Sequence, residues 1–333
     1  MSGSVFSSAP RIPADAIFAL TAEYLADPSL QKVNLGQGTY RDNNGQPWVL
    51  PSGLRDKTAQ LVFGEGVQLA TSHLHLPAPT WSNHHLLFSS LGFPCTSFQY
   101  YNPDTKSLDI DSYLSTLRVT EKGSVFILHA CAHNPMGLDP SVEQWKEIGA
   151  VIKERGDAWA VRYFVSELGL ESAVCLSFAK NMGLYGERVG CLVVATPTEE
   201  IALNTQSVLE SLQRSEISNH PAFGAKIAET VLSDEELRKV WFEDLKTMSG
   251  RIQEMRRVLH EGLTKYSTGN WDHLIRQSGM FGFLGLSPKV VKTLKEFHIY
   301  MADNSRVSIA GLNTGNVEYV ARSIGEVLAR EQN

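Results

Sequence analysis

Lys180 stands in the segment Ser177-Phe178-Ala179-Lys180-Asn181-Met182-Gly183-Leu184-Tyr185-Gly186-Glu187-Arg188-Val189-Gly190, directly after an apolar run that reads as a buried strand. A lysine on a small-residue turn past such a strand is partly desolvated. Desolvation lowers its pKa and exposes the free amine that imine formation with an aldehyde requires. Ser177 supplies a hydroxyl and Arg188 a planar fork, both suited to one phosphate beside that amine. A lysine taken alone is usually a solvated surface group. The spacing of all three points to chemistry.

Other polar constellations carry less. His73-x-His75 and His84-His85 are imidazole pairs, but no cysteine or carboxylate completes a metal site at usable spacing, so no metal is expected. Trp81 by itself reads as a core aromatic, and Cys131 and Cys175 read as inert thiols in buried-strand contexts. Gly36-Gln37-Gly38 lacks the third glycine and the preceding strand of a dinucleotide fingerprint.

The elements that must position these groups follow an α/β grammar. Val125-Phe126-Ile127-Leu128 is a continuous apolar run of the kind buried in a parallel sheet. Asp139-Pro140 offers a helix start, and Val142, Trp145, Ile148 and Ile152 recur at helical spacing until Gly156. Residues 173–178 and 189–195 read as two more buried strands. Ser233-Asp234-Glu235-Glu236 reads as a capping box opening a long helix striped by Leu237, Trp241, Leu245, Met248, Ile252, Met255 and Leu259. The C-terminal part is α+β: a strand over 280–286, a helix from Ser287-Pro288, a strand over 306–309 and a final helix over 317–328.

Two places break the grammar. After Gly156 the pattern calls for a strand, yet Asp157-Ala158-Trp159-Ala160-Val161 starts another helix. A single β-like stretch over 67–76 follows a helix over 54–63. Both points suggest missing segments.

The 333 residues suggest about two domains, and a core of that size needs no disulfide or structural metal. Thirty basic against thirty-six acidic residues give a net charge of −6, with no nucleic-acid footprint or polybasic membrane surface. Hydrophobic residues at 43% and charged residues at 20% exclude general disorder. Four dispersed cysteines (Cys95, Cys131, Cys175, Cys191) read as reduced and mostly buried thiols. With only a five-residue apolar stretch over 16–20 and no span-length run, the expectation is a soluble cytosolic protein.

The segment SFAKNMGLYGERVG resembles the cofactor-lysine signature of class I, fold-type-I aminotransferases, and more closely their aspartate aminotransferase branch. The likeness continues in VNLGQGTYRDNNGQPWVLPS, APTWSNHH, HACAHNPMGLDPSVEQW, MFGFLGL and SRVSIAGLN, in the family's order along nearly the whole chain. The resemblance implies a fold-type-I α/β transferase with a mostly parallel large domain and a smaller α+β domain built from both termini. The expected boundaries are an arm and part of the small domain over 1–40, a large domain over 41–247, and a small domain over 248–333.

The resemblance further implies that Lys180 forms an aldimine with pyridoxal 5'-phosphate and shuttles a proton. Ser177 and Arg188 would hold the phosphate, Asn134 the phenolic oxygen, and Trp81 the ring face. Gly38, Trp81, Asn134 and Arg306 would contact substrate, with Arg306 clamping the α-carboxylate. Arg214 falls where a dimer partner supplies an arginine for a distal carboxylate, although Glu216 could neutralise it. The implied reaction moves an amino group between L-aspartate and 2-oxoglutarate in a cytoplasmic homodimer, with no nucleic-acid or membrane partner.

The departures from the family fall at the two breaks. The family's strand after residue 156 ends in an aspartate that pairs with the pyridine nitrogen, and this sequence offers no counterpart. The small-residue phosphate turn between residues 66 and 78 is also missing, so the family is expected to be several dozen residues longer. Two alternatives stay open at this level: a catalytically silent homologue acting as a dimer or regulatory subunit, and an aminotransferase of altered specificity.

Overall fold

The computed structural model describes residues 16–36, 74–90, 93–121, 124–155, 168, 172–196, 198–216 and 220–331. The expected helices over 54–63 and from 157, and residues 67–73 of the β-like stretch, lie outside these. The chain opens with α1 (Ala16–Ala26) and β1 (Val33–Asn34). A three-stranded parallel sheet then forms from β2 (Leu74–Ala78), β3 (Cys95–Gln99) and a later strand, with α2 (Ser82–Ser90) crossing between the first two. After a short antiparallel ribbon of β4 (Tyr101–Asn102) and β5 (Ser107–Leu108) come α3 (Ile110–Val119) and β6 (Val125–Phe126). The strand order is β3-β2-β6.

The apolar run from Val125 to Leu128 yields only a two-residue strand, although Ile127 N still donates to the His75 carbonyl at 3.0 Å. Beyond that bond the chain leaves the sheet edge for the loop carrying His129. α4 (Val142–Arg155) begins later than Asp139-Pro140, because Ser141 and Gln144 form the cap. Ser141 N donates to Gln144 Oε1 at 2.9 Å, and Gln144 N to Ser141 Oγ at 3.2 Å. Its Ile148, Val151 and Ile152 pack with Tyr113, Leu114 and Leu117 of α3 and with Phe98, Tyr100 and Phe126.

β7 (Ser172–Ser177) and β8 (Gly190–Ala195) pair antiparallel, with the one-turn α5 (Phe178–Asn181) after β7. They were expected to be buried strands, yet Leu176 is 44% exposed and Leu192 39%. Among the described residues β7 bonds only to β8, so this ribbon is not enclosed as a central strand pair would be. The expectation of mostly buried thiols is corrected too. Cys131 and Cys175 are exposed, and Cys95 and Cys191 are half-buried.

Two further helices, α6 (Glu199–Glu216) and α7 (Ala222–Ser233), lead to the 32-residue α8 (Glu235–Tyr266). Asp234, not Ser233, is the N-cap: its carboxylate accepts from Glu236 N and Leu237 N at 2.9 and 3.0 Å. Ser233 is still the last helical residue of α7, which moves the cap one place along. The first turns of α8 bury Trp241 against Phe178, Met182, Ala228 and Val231, and Trp241 Nε1 donates to Asn181 O at 2.8 Å. The lysine turn is thus pinned to the long helix.

Past α8 follow β9 (Phe281–Phe283), α9 (Pro288–Thr293), β10 (Ile299–Tyr300), β11 (Arg306–Ser308) and α10 (Val317–Glu331). Leu259 and Leu263 of α8 meet Val320, Ile324 and Val327 of α10 in one core that also takes Val33 and Leu35. A Cβ on Gly325 would lie 2.3 Å from the Tyr266 carbonyl, so glycine is what lets α10 approach the end of α8. β1 pairs parallel with β10, and β9 antiparallel with β11, setting Arg306 opposite Phe283. Among the described residues no helix is long and apolar enough to cross a membrane.

Candidate active site

Ser177 ends β7 with extended backbone, and its hydroxyl caps α5 by accepting from Ala179 N at 3.2 Å. Buried Phe178 and Ala179 anchor the turn and leave Lys180 on its outer side. The lysine amine lies 5.7 Å from the centre of the Tyr185 ring. Arg188, in left-handed backbone at φ 49°, donates from Nη1 to Tyr185 O at 3.2 Å. Partial burial, then the charge of Arg188, lowers the Lys180 pKa and favours the free amine. Hydroxyl and amine come from this turn and the guanidinium from the segment just before β8, a donor set suited to an aldehyde beside a phosphate.

A second group gathers around Arg306 at the start of β11. Its Nη2 donates to Gly36 O at 3.0 Å and its Nη1 to Asn134 Oδ1 at 3.4 Å. The guanidinium carbon sits 4.4 Å from the Phe281 ring centre, a planar stack that a lysine could not reproduce. Asn134 N donates to His129 Nδ1 at 3.0 Å, which requires that nitrogen to be unprotonated. The ring proton of neutral His129 is therefore on Nε2, 3.4 Å from Thr80 Oγ1. Thr80 Oγ1 lies 2.8 Å from His84 Nδ1. Hydrogen bonding thus assigns a relay from Asn134 through His129 and Thr80 to His84.

The imidazoles also form a column of rings. Tyr100 stacks on His133 at 4.0 Å, His133 on His129 at 4.2 Å, and His129 meets His84 edge-on at 5.3 Å. Trp81, just before α2 and 45% exposed, meets His84 at 5.4 Å. Burial first, and neighbouring imidazoles second, push His129 down to about 4 and His133 to about 2. His84 is lowered by burial and then by His85.

The unfolded chain takes up these protons near pH 6.5 while the folded column refuses them. Stability should therefore be full above about pH 6.5 and fall as the pH drops toward the folded value of about 4 for His129. Urea unfolding at several pH values should show a loss of order 3 kcal/mol or more across that window, with His129 and His133 both contributing. His129→Gln should shrink this loss, and an unchanged midpoint across the window would contradict a neutral column.

The structure brings Asn134 and Arg306 together, and separately Ser177, Lys180 and Arg188. No hydrogen bond or ion pair among the described residues joins the two groups. Gly38 lies outside the described residues, although Gly36, two positions earlier, supplies a carbonyl to Arg306. Arg214 lies on α6, with its side chain outside the described residues. Local sequence pattern marks no role for Thr80, His129 or Phe281. His129 lay inside the quoted HACAHNP motif, four residues before His133.

The family description "aminotransferase class I and II" matches residues 67–324. The cytoplasmic aspartate aminotransferase of Saccharomyces cerevisiae is 39% identical over 409 residues, covering 98% of either chain. The mitochondrial aspartate aminotransferase of Dictyostelium discoideum is 37% identical, covering 95% of this chain and 91% of its own. Among solved structures, an aromatic-amino-acid aminotransferase from Burkholderia pseudomallei, covalently bound to pyridoxal phosphate, matches with a TM-score of 0.88. It is 30% identical and covered in full, against 98% of this chain. In the yeast match, 98% of 333 residues is about 326, so roughly 80 of its 409 positions face gaps here. Because both chains are covered nearly end to end, those gaps are internal.

Proposed function

The chain belongs to the class I and II aminotransferases, and from that membership we propose that it is an aspartate aminotransferase. It exchanges an amino group between L-aspartate and 2-oxoglutarate, giving oxaloacetate and L-glutamate. The observation that carries this reading is the partly desolvated Lys180 amine beside Arg188 on the turn after β7. Pyridoxal phosphate, when bound, supplies the electron-withdrawing ring that accepts charge from the substrate α-carbon.

In this reading Lys180 Nζ would hold the cofactor through its aldehyde and, once displaced by the substrate's amino group, would take and return the substrate proton as a free amine. Its lowered pKa favours the base form needed for that transfer. Ser177 and Arg188 would hold the phosphate, while Asn134 and Trp81 would orient the ring. Arg306 turns its fork to the substrate α-carboxylate, held in plane by Gly36 O and the Phe281 ring. Gly38 contributes backbone to the substrate, and Arg214 of a second copy meets the distal carboxylate.

The same reading places the active form as a cytoplasmic homodimer divided at residues 40 and 247. The shared core of Val33 and Leu35 with residues 255–327 supports joining the first residues to the C-terminal unit.

Specificity constants for L-aspartate and L-phenylalanine, each with 2-oxoglutarate, test the assignment. Aspartate should be favoured at least about tenfold, because an arginine built for a second carboxylate is left unpaired by an aromatic ring. A clear preference for phenylalanine would overturn the dicarboxylate reading.

A further inference from the structure

We propose that Asp139 is a positioning residue for substrate binding, tying the loop that carries Asn134 to the loop that leads into Phe281 and Arg306. This rests on the aminotransferase reading above, since it concerns the same carboxylate-binding group. The sequence pattern made Asp139 a helix start, but its side chain turns away from α4. Its Oδ2 accepts from Ala132 N at 2.8 Å, and its Oδ1 from His133 N at 3.0 Å. Those two bonds hold Ala132 in left-handed backbone at φ 53°, two residues before Asn134. Oδ2 also accepts the hydroxyl proton of Ser278, which is 139 residues away in sequence.

The two loops touch backbone to backbone around that carboxylate. Ser278 N donates to Gly137 O. Gly137 has φ +66°, and a Cβ there would sit 2.9 Å from Ser278 O. Gly279 has φ +76°, and a Cβ there would sit 2.3 Å from the Ala132 Cβ. Neither glycine tolerates a side chain without parting the loops.

On its far side the second loop is held rigidly. Buried Arg256 donates from Nη2 to Gly279 O at 2.7 Å and to Phe281 O at 2.9 Å. Gln277 exchanges hydrogen bonds with both backbone groups of Phe283, at 3.0 and 2.9 Å. A shift at Ser278 therefore passes into Phe281, which stacks on Arg306, and into Phe283, which is paired with Arg306 in the sheet. Asp139 is the side chain that bonds both loops, so it sets how Asn134 and Arg306 face each other. An asparagine there would turn an NH2 toward one of three donors.

The test uses the full chain loaded with pyridoxal phosphate and the variants Asp139→Asn, Ser278→Ala and Ser278→Thr. Asp139→Asn should raise KM for aspartate and for 2-oxoglutarate roughly tenfold, and Ser278→Ala about fivefold, with kcat changed less. Ser278→Thr keeps the hydroxyl and should restore parental KM. Hydrogen exchange should quicken over residues 277–283 in both Asp139→Asn and Ser278→Ala. KM values within about twofold of the parent in both variants, or losses that follow thermal stability alone without rescue by threonine, would overturn the proposal. If the parent transfers no amino group at all, the functional reading fails, and exchange then decides. Unchanged exchange over 277–283 in Asp139→Asn removes the coupling, whereas quickened exchange upholds it.

Discussion

Lys180→Ala is expected to lower kcat/KM for aspartate by about 10⁴-fold or more, because the proposed function gives this one amine both the cofactor attachment and the proton transfer. The loss should be chemical and not structural. Lys180 projects from the outer side of a one-turn helix whose anchors are Phe178, Ala179 and Met182. The variant should therefore unfold within about 0.5 kcal/mol of the parent, as surface substitutions usually do. Borohydride reduction followed by peptide mapping checks the attachment: the parent should carry the reduced cofactor on Lys180, and the variant none. Activity within tenfold of the parent would remove Lys180 from its assigned role.

Arg306→Lys is expected to raise KM for both aspartate and 2-oxoglutarate by roughly 10²-fold, since a bidentate carboxylate contact is lost for a single point charge. The guanidinium bonds Gly36 O and Asn134 Oδ1 with different nitrogens while lying over Phe281. One ammonium cannot keep both bonds and the stack. Because the proposed function has both substrates present the same carboxylate to this group, the two KM values should rise together. A rise confined to one of them, or below about threefold in both, would place the carboxylate contact elsewhere.

What the sequence made legible follows from the range of the interactions involved. Runs of apolar residues located β7, β8, β9 and β11, and helical spacing located α4, α8 and α10, since these patterns are local. They could not say what covers an apolar run. Leu176 and Leu192 want burial as much as any core residue, yet the pairing around β7 leaves them partly in solvent. Capping was legible to within a residue: Asp234 takes the place expected of Ser233 because α7 runs one position further.

The lysine turn could be read because hydroxyl, amine and guanidinium fall within twelve residues of one another. Asn134 and Arg306 lie 172 residues apart, and only the resemblance to a family linked them in advance. The bond from Ser278 to Asp139, and the ring column from Tyr100 to Trp81, join distant segments through single side chains. No periodicity marks such contacts. The internal breaks were visible as failures of the α/β grammar, and the yeast match carries roughly 80 internal gapped positions.

Transfer of nitrogen itself tests the central claim most directly. The full chain, loaded with pyridoxal phosphate, would be mixed with ¹⁵N-aspartate and unlabelled 2-oxoglutarate, and the glutamate formed analysed by mass spectrometry. Label should appear in glutamate with the parent chain, and should be lost when cofactor is withheld or Lys180 is replaced. Cofactor-loaded parent that leaves the label entirely in aspartate would contradict the assignment of this chain as an aspartate aminotransferase.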